Sequence, residues 1–279
     1  MRASAGEGMR GEIVGLIPAA GVGTRLYPFA RAVPKELYPI VGKPAIEHCV
    51  ENLREGGIRK IYVLVGYQKG ALMDYLGDGS DFGVKIAYIY QHRRLGLGHA
   101  VLQAKGWVES TFVTLLGDSF IEPKCEIREL INLHLRERPL ATLLIFKVQD
   151  PSSYGVASFR KEGDLLVIKK LVEKPGPKHA KKMKVNGKFY ALCGAYVFEP
   201  GIFGYIEETR PHRDGEIQLT DALELAVERG ERVLGMELAG RYIDVGKWET
   251  VLRTERELLY SLSLEECTRE REEMARRTL

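Results

Sequence analysis

In the first half of this chain, short apolar runs alternate with segments in which apolar and polar positions are mixed. Five mainly apolar runs predict strands at residues 13–17, 61–65, 84–90, 111–116 and 141–148. Between them, apolar residues recur at helical spacing and predict helices at residues 44–56, 68–76, 98–106 and 127–136. Strands that alternate with helices over short connections form a parallel, doubly wound sheet, which we predict for residues 11–150.

The pattern changes after residue 150, where strands follow one another with little helix between them. We predict strands at residues 156–159, 165–172, 189–198 and 233–238, and an amphipathic helix at residues 217–229. The predicted fold class is therefore α/β, a Rossmann-like doubly wound mixed sheet with a strand-rich second half and C-terminal helices. We expect one domain at residues 11–246 with halves 11–150 and 151–246, a disordered lead-in at 1–10 and charged helices at 247–279.

Composition narrows the class of protein. The 279 residues are 45% apolar and 28% charged with a formal net charge of +3, which argues against a dedicated nucleic-acid-binding protein. Four scattered cysteines show no metal-ligand spacing, and no apolar run reaches the length of a membrane span. We therefore expect a cytoplasmic protein with reduced thiols, bound to neither membrane nor nucleic acid. Asn and Gln are scarce beside Glu, Lys and Arg, which favours a thermophilic source.

A glycine-containing loop follows the first strand. After residue 17 the chain reads PAAGVGTRLYP, and the small residues Gly21 and Gly23 let a backbone approach a ligand closely. Free amide groups in such a turn can bind phosphate oxygens, and the Arg25 guanidinium can bind a phosphate with two hydrogen bonds. No Gly-Lys-Ser/Thr follows, and the third glycine of a dinucleotide-binding turn is missing. By itself, the loop is equally compatible with an ordinary turn.

Several further short motifs follow in order and together resemble the sugar-1-phosphate nucleotidyltransferase family. The motifs are AAGVGTRLYP, PKELYPI, GKP, a Gln followed by GLGHAV, LGD, YGV, VEKP, GEIQLTD and IDVG, at residues 19–28, 34–40, 42–44, 91–101, 116–118, 154–156, 172–175, 215–221 and 243–246. Within the family the resemblance is strongest to bacterial and archaeal UTP–glucose-1-phosphate uridylyltransferases. It implies the nucleotide-diphospho-sugar transferase fold, UTP and glucose-1-phosphate as substrates, and Mg²⁺ as cofactor.

The implied reaction is attack by a sugar phosphate oxygen on the α-phosphorus of UTP, with pyrophosphate leaving. Both reactants are anions, so positioning and charge neutralisation supply most of the catalysis. The resemblance makes Arg25, Lys35, Asp118 and Lys174 the catalytic set, and the six histidines of the chain need no catalytic role. Asp118 and Asp244 each follow an apolar run, where a carboxylate could hold Mg²⁺ or simply complete a turn.

The resemblance also implies two sets of binding residues. The Gln91 amide offers a donor and an acceptor to the imide edge of uracil, and Gly96 would let the base lie close to backbone. The implied nucleotide-binding residues are Ala19, Ala20, Gly21, Gly23, Thr24, Gln91 and Gly96. The implied sugar-binding residues, in the half at 151–246, are Tyr154, Gly155, Glu173, Gly194, Tyr196 and Glu216.

Some alternatives stay open. The compact segment at 76–84 is more like glucose-1-phosphate thymidylyltransferases than the typical bacterial uridylyltransferase, so dTTP is an alternative substrate. A nucleotidyltransferase that acts on another sugar phosphate is a further alternative. A catalytically inactive regulatory subunit of this fold should lack the charged catalytic set, which is present here. The basic segment at 178–188 is expected to be a solvated loop, with a mobile flap near phosphates as the alternative. We expect a homo-oligomer, either a dimer or a tetramer.

Overall fold

The computed structural model describes residues 11–66, 68–212, 215–246 and 248–252. The strands in these ranges are β1 Val14–Pro18, β2 Pro39–Ile40, β3 Lys43–Pro44, β4 Lys60–Val65, β5 Lys85–Tyr90, β6 Phe112–Leu115, β7 Ser119–Glu122, β8 Ala141–Val148, β9 Gly155–Glu162, β10 Leu165–Glu173, β11 Phe189–Phe198, β12 Val233–Glu237 and β13 Arg241–Asp244. The α-helices are α1 Phe29–Ala32, α2 Ala45–Glu55, α3 Gly70–Leu76, α4 Gly96–Leu102, α5 Cys125–Glu137, α6 Pro177–Lys182, α7 Ile202–Glu208 and α8 Leu219–Glu228.

Nine strands form one mixed sheet in the order β5-β4-β1-β6-β11-β8-β12-β10-β9. The neighbours β5, β4, β1 and β6 are parallel, as are β8 and β12, whereas β11 is antiparallel to both β6 and β8. The predicted α/β mixed-sheet fold is confirmed. The strands β1, β4, β5, β6 and β8 run in the same direction, as predicted for residues 11–150, but they do not form one continuous parallel sheet, because the antiparallel β11 lies between β6 and β8. Since β11 is buried along nearly its whole length, it fits the centre of the sheet.

Helices cover both faces of this sheet, and each face has its own apolar core. Val101 of α4, Phe203 of α7 and Leu223 of α8 pack on one face. Leu53 of α2 and Leu130 of α5 pack on the other. This two-sided cover is what the alternation of apolar runs predicts. It leaves the ends of the strands and the loops after them as the place for a ligand site.

A two-stranded antiparallel sheet, formed by β7 and β13, stands apart from the main sheet. A small apolar cluster that includes Phe120 and Ile243 supports it. Neither strand was predicted, because four residues give too short a pattern to recognise. The pairing matters because β7 begins directly after Asp118 and β13 ends at Asp244.

Two other expectations need correction. The basic segment predicted as a loop begins with α6, in which Pro177 occupies the first turn and suits a helix start. Helix α7 was also not predicted, and α4 begins at Gly96 rather than at residue 98. Residues 248–252 are helical, whereas the predicted lead-in and most of the predicted C-terminal helices lie outside the described residues. Within the described ranges, no helix is long and apolar enough to cross a membrane.

Candidate active site

A cavity of about 650 Å³ opens beside the carboxyl ends of β1 and β6. Every residue that the sequence analysis proposed for the site lines it, except Ala19. Those residues are Ala20, Gly21, Gly23, Thr24, Arg25, Lys35, Gln91, Gly96, Asp118, Tyr154, Gly155, Glu173, Lys174, Gly194, Tyr196, Glu216 and Asp244. Ala19 is buried beneath the loop, where its amide donates to the carbonyl oxygen of Leu64 at 2.8 Å. Residues distant in sequence therefore meet in one cavity.

The glycine-containing loop lines the cavity and also packs against the side chain of Lys35. Gly23 has a φ of 72°, and its carbonyl oxygen accepts from the Leu26 amide at 2.8 Å, which closes the turn. A Cβ added at Gly23 would lie 3.1 Å from both Cβ and Cδ of Lys35, and one at Gly21 would lie 3.6 Å from its Cε. The small residues therefore let the Lys35 side chain run along the loop and bring its ammonium group into the cavity.

Lys35 forms an ion pair with Asp118 at the centre of the cavity. Burial lowers the pKa of Lys35, but the nearby carboxylates of Asp118, Glu36 and Asp244 outweigh it and hold the pKa above its usual value. Burial raises the pKa of Asp118, but the adjacent Lys35 outweighs it and holds the pKa below its usual value. Both groups are therefore charged at neutral pH.

A second, fully buried ion pair lies directly behind Lys35. The Lys69 ammonium is 2.6 Å from a carboxylate oxygen of Glu36, and the two side chains are 5% and 1% exposed. Burial raises the pKa of Glu36, while Lys69 acts in the opposite direction. The pair joins the short 3₁₀ turn that carries Lys35 to the loop after β4.

Asp244 is the second carboxylate beside Asp118. Burial and the charge of Asp118 raise its pKa above the usual value, although Lys35 and Arg25 act against this. Asp118 and Asp244 are therefore adjacent carboxylates that face the cavity. They provide the hard oxygen ligands that Mg²⁺ prefers. In the described ranges no group of three or more His, Cys, Asp or Glu is arranged to hold a metal ion. A cation held by these two carboxylates would take further ligands from phosphate or water.

At the opposite wall, Glu173 and Lys174 lie at and just after the end of β10. Glu173 accepts a hydrogen bond from the Thr220 hydroxyl at 2.8 Å and pairs with Lys174 at 3.1 Å. Lys174 has a φ of 41°, unusual for a residue with a side chain, and its amide donates to the Tyr154 carbonyl oxygen at 3.0 Å. A Cβ at Gly155 would lie 2.8 Å from the Thr220 hydroxyl oxygen, so glycine is needed there. The strained backbone directs a half-exposed ammonium group at the cavity.

The floor of the cavity on this side comes from β11. An irregular register between Leu192 and Tyr196 surrounds Gly194, which has a φ of 71°. Tyr196 is buried with its ring stacked on Phe198, and burial followed by the charge of Glu173 raises the pKa of its hydroxyl. Its hydroxyl therefore stays neutral over the whole physiological pH range.

The remaining end of the cavity holds Gln91 and Gly96. Gln91 is 4% exposed, and its amide nitrogen lies 2.9 Å from Nδ1 of His99. Gly96 has a φ of 89°, and a Cβ there would lie 2.6 Å from the Ile217 carbonyl oxygen. The contact with the protein's own backbone at Ile217 thus accounts for the glycine, whatever the role of Gly96 towards a base. Glu216, the predicted sugar-side residue next to Ile217, accepts from the Gln218 amide at 2.8 Å.

The cavity also contains polar residues that the sequence analysis did not assign. Thr220 and Gln218 belong to the quoted motif GEIQLTD, so the motif itself was the signal. Arg94 adds a cation two residues before Gly96, and Tyr242 contributes a partly buried ring two residues before Asp244. These positions were recognisable only as neighbours of assigned residues.

The cavity brings cationic and carboxylate side chains together at the carboxyl ends of strands in an α/β sheet, where such folds bind their ligands. The nucleotidyl transferase family profile matches residues 14–261. The chain belongs to the nucleotidyl transferase family.

Relatives within the family carry different names. The chain is 36% identical over 237 residues to the bifunctional protein GlmU of Methanococcus maripaludis, covering 85% of this chain and 52% of that one. It is 33% identical to a glucose-1-phosphate thymidylyltransferase of Streptomyces griseus, covering 88% and 65%. It is also 33% identical to the UTP–glucose-1-phosphate uridylyltransferase of Bacillus subtilis, covering 83% and 86%. The chain thus spans about half the length of some curated relatives that it matches.

Solved structures show the same fold. A UDP-glucose pyrophosphorylase complexed with UDP-glucose superposes with a TM-score of 0.81 at 28% identity, covering 90% of this chain and 100% of the other. This similarity extends over both halves of the main sheet.

Proposed function

We propose that this protein transfers the uridylyl group of UTP to glucose-1-phosphate, giving UDP-glucose and pyrophosphate. The observation that carries the proposal is that one cavity is lined by charged groups that the reaction needs. They are Arg25, Lys35, Asp118 and Asp244, together with the buried side-chain amide of Gln91 and the carboxylate of Glu173. Such a cavity has room for a nucleotide and a sugar phosphate side by side.

In this proposal, three cations offset the mutual repulsion of two anionic substrates. Arg25 and Lys35 bind the phosphates of the nucleotide, and Lys174 binds the phosphate of the sugar phosphate. Glu173, held by Thr220, accepts hydrogen bonds from sugar hydroxyls. A phosphate oxygen of the sugar then attacks the α-phosphorus in line, and pyrophosphate leaves. The reaction needs positioning and charge neutralisation, with no covalent intermediate on the protein.

Mg²⁺ fits the two carboxylates Asp118 and Asp244, which we assign as its protein ligands. When bound, it would neutralise charge on the phosphates. Lys35 pairs with Asp118 in the described arrangement, so the same carboxylate positions the lysine at the cavity.

UTP is the proposed nucleotide, with dTTP as the second candidate. The motifs at residues 34–40 and 215–221, and the similarity to the uridylyltransferase and the pyrophosphorylase, favour UTP. The thymidylyltransferase relative and the compact segment at 76–84 favour dTTP. In that segment two 3.1 Å hydrogen bonds, from Gly79 to Leu76 and from Val84 to Gly79, close a tight turn. An inactive regulatory subunit is disfavoured because the charged catalytic set is complete. Homo-oligomerisation stays a prediction.

The test of this proposal is product formation from a defined mixture. The purified protein is incubated with Mg²⁺, UTP and glucose-1-phosphate, and both UDP-glucose and pyrophosphate are measured. We expect the two products in equal amounts and none without the sugar phosphate. Parallel arms with galactose-1-phosphate and N-acetylglucosamine-1-phosphate identify the preferred sugar. Equal or faster turnover with another sugar phosphate would overturn the assignment of glucose.

A further inference from the structure

Gln91 and His99 form a partly buried side-chain contact that the proposed reaction does not use. The amide nitrogen of Gln91 lies 2.9 Å from Nδ1 of His99, whereas Nε2 of the same ring is 3.4 Å from the Gln103 amide nitrogen. The second distance is too long for a strong hydrogen bond, so the contact with Gln91 decides which ring nitrogen accepts.

His99 is set up to accept this hydrogen bond. Burial and the charge of Arg93 lower the pKa of His99 below its usual value of 6.5, so the ring is neutral at pH 7 and has one accepting nitrogen. With Nδ1 as that acceptor, one N–H of Gln91 is committed to His99. The amide oxygen of Gln91 must then lie on the other side of the amide group, together with a remaining N–H.

Both partners are held in place by backbone contacts. The backbone N–H of Gln91 donates to the Val65 carbonyl oxygen at 2.8 Å. The start of α4 is fixed because the Gly98 amide donates to the Ile217 carbonyl oxygen at 2.9 Å, and a Cβ at Gly98 would lie 2.9 Å from Ile217. Rotation of the Gln91 amide would therefore place its oxygen against the Nδ1 lone pair, with little freedom for either residue to move away.

We propose that His99 is a positioning residue that fixes the orientation of the Gln91 amide and thereby selects uracil or thymine over cytosine. The inference rests on the proposed function, in which Gln91 reads the base. With one side-chain N–H of Gln91 bound to His99, the amide oxygen is left to accept from the N3–H of uracil or thymine. Cytosine presents an acceptor at N3, which faces an oxygen unless the amide turns and loses its bond to His99.

The experiment compares kcat/KM for UTP and CTP, with glucose-1-phosphate, in wild type and four variants. His99→Leu and His99→Ala remove the acceptor, the second without adding apolar bulk in case the first does not fold. His99→Asn restores an acceptor oxygen near the position of Nδ1. Gln103→Leu is the matched control, since it removes the other amide beside the ring and leaves Nδ1 intact. Thermal unfolding is recorded for each protein.

We expect the UTP-to-CTP ratio to fall by about tenfold or more in His99→Leu and His99→Ala, as expected when one polar partner is lost. His99→Asn should recover most of the ratio, and Gln103→Leu should keep it. An unchanged ratio in a folded His99→Leu or His99→Ala protein, with wild type preferring UTP or dTTP, overturns this inference alone. A wild type that prefers CTP or a purine nucleotide overturns the base assignment in the proposed function together with the inference.

Discussion

Asp118 and Asp244, separated by most of the domain in sequence, are joined through the β7–β13 pair. Ser119, the residue after Asp118, pairs with Asp244, and the Val245 amide donates to the Asp118 carbonyl oxygen at 2.9 Å. Backbone hydrogen bonds therefore fix the two carboxylates side by side, despite their repulsion. A positive group held between or beside the two carboxylates relieves their repulsion, as Lys35 does at Asp118.

We expect the reaction to require a divalent cation held by these carboxylates. Asp118→Ala and Asp244→Ala should each lower turnover by orders of magnitude, because each removes a ligand and a charge that positions Lys35. Asp164→Ala, an exposed carboxylate in the turn between β9 and β10, is the matched control and should keep full activity. Steady-state rates with and without excess chelator provide the measurement. Undiminished activity in chelator, or in both site variants, would remove the metal assignment.

Substitutions at the two ends of the cavity should affect the kinetic parameters of different substrates. Lys174→Ala should mainly raise the KM for glucose-1-phosphate, whereas Arg25→Ala and Lys35→Ala should damage use of the nucleotide. A charge-assisted contact with phosphate contributes about 1.5–3 kcal/mol, so each loss should change kcat/KM by roughly tenfold or more. Each KM is measured with the second substrate saturating. Lost nucleotide binding in Lys174→Ala, with sugar phosphate affinity unchanged, would reverse the assignment.

The buried pair of Glu36 and Lys69 should be important for stability. Lys69→Met leaves Glu36 buried without its partner, and we expect a loss of about 3–5 kcal/mol in the free energy of unfolding at pH 7. Lys105→Met is the control, because its pair with Glu207 also measures 2.6 Å but is about half exposed. That control should change stability by less than about 1 kcal/mol. Equal effects of the two substitutions in denaturant titrations would contradict this account.

Buried histidine should make the protein less stable in mild acid. His134 is fully buried, contacts Thr142 at 2.9 Å, and has its pKa lowered below 6.5 by burial despite the nearby Glu199. The unfolded chain therefore takes up this proton at a higher pH than the folded chain does. The contribution of neutral His134 to the free energy of unfolding should be fully present above pH 6.5. It should fall as the pH drops below that value, by up to about 1.4 kcal/mol per pH unit.

The measurement is the free energy of unfolding between pH 5 and 8 for wild type and His134→Gln. The variant should show a shallower decline, with the remainder due in part to His48, whose pKa burial also lowers. The same slope in both proteins would show that His134 does not titrate on unfolding.

The sequence predicted most of the cavity wall but not how its residues are held together. Asp118 and Asp244 were recognisable because each follows an apolar run within a familiar motif. Their pairing was not, since β7 and β13 are too short for a readable alternation. The positive φ of Lys174 could not be predicted either, because a lysine in the sequence does not indicate a left-handed backbone conformation.

Long-range contacts account for the other gaps. Gly96 was predicted to let a base lie close to the backbone. In the structure, the nearby Ile217 backbone explains why no side chain fits there. The central place of β11 could not be predicted from strand order, because strands pair according to the whole fold rather than their neighbours in sequence. The histidines were given no part in the predicted chemistry, and the contact between His99 and Gln91 is visible only in three dimensions.

The most direct test of the proposed function is kcat/KM for UTP, dTTP and CTP with glucose-1-phosphate under one set of conditions. UTP and dTTP share the edge that Gln91 would read, so only the ring methyl and the ribose 2′-hydroxyl distinguish them. One methyl discriminates by roughly 10–200-fold, and we predict that UTP is preferred over dTTP within that range, with CTP poorest. A dTTP value equal to or above that of UTP would replace the uridylyl assignment by the thymidylyl one, and a preference for CTP would contradict the role given to Gln91.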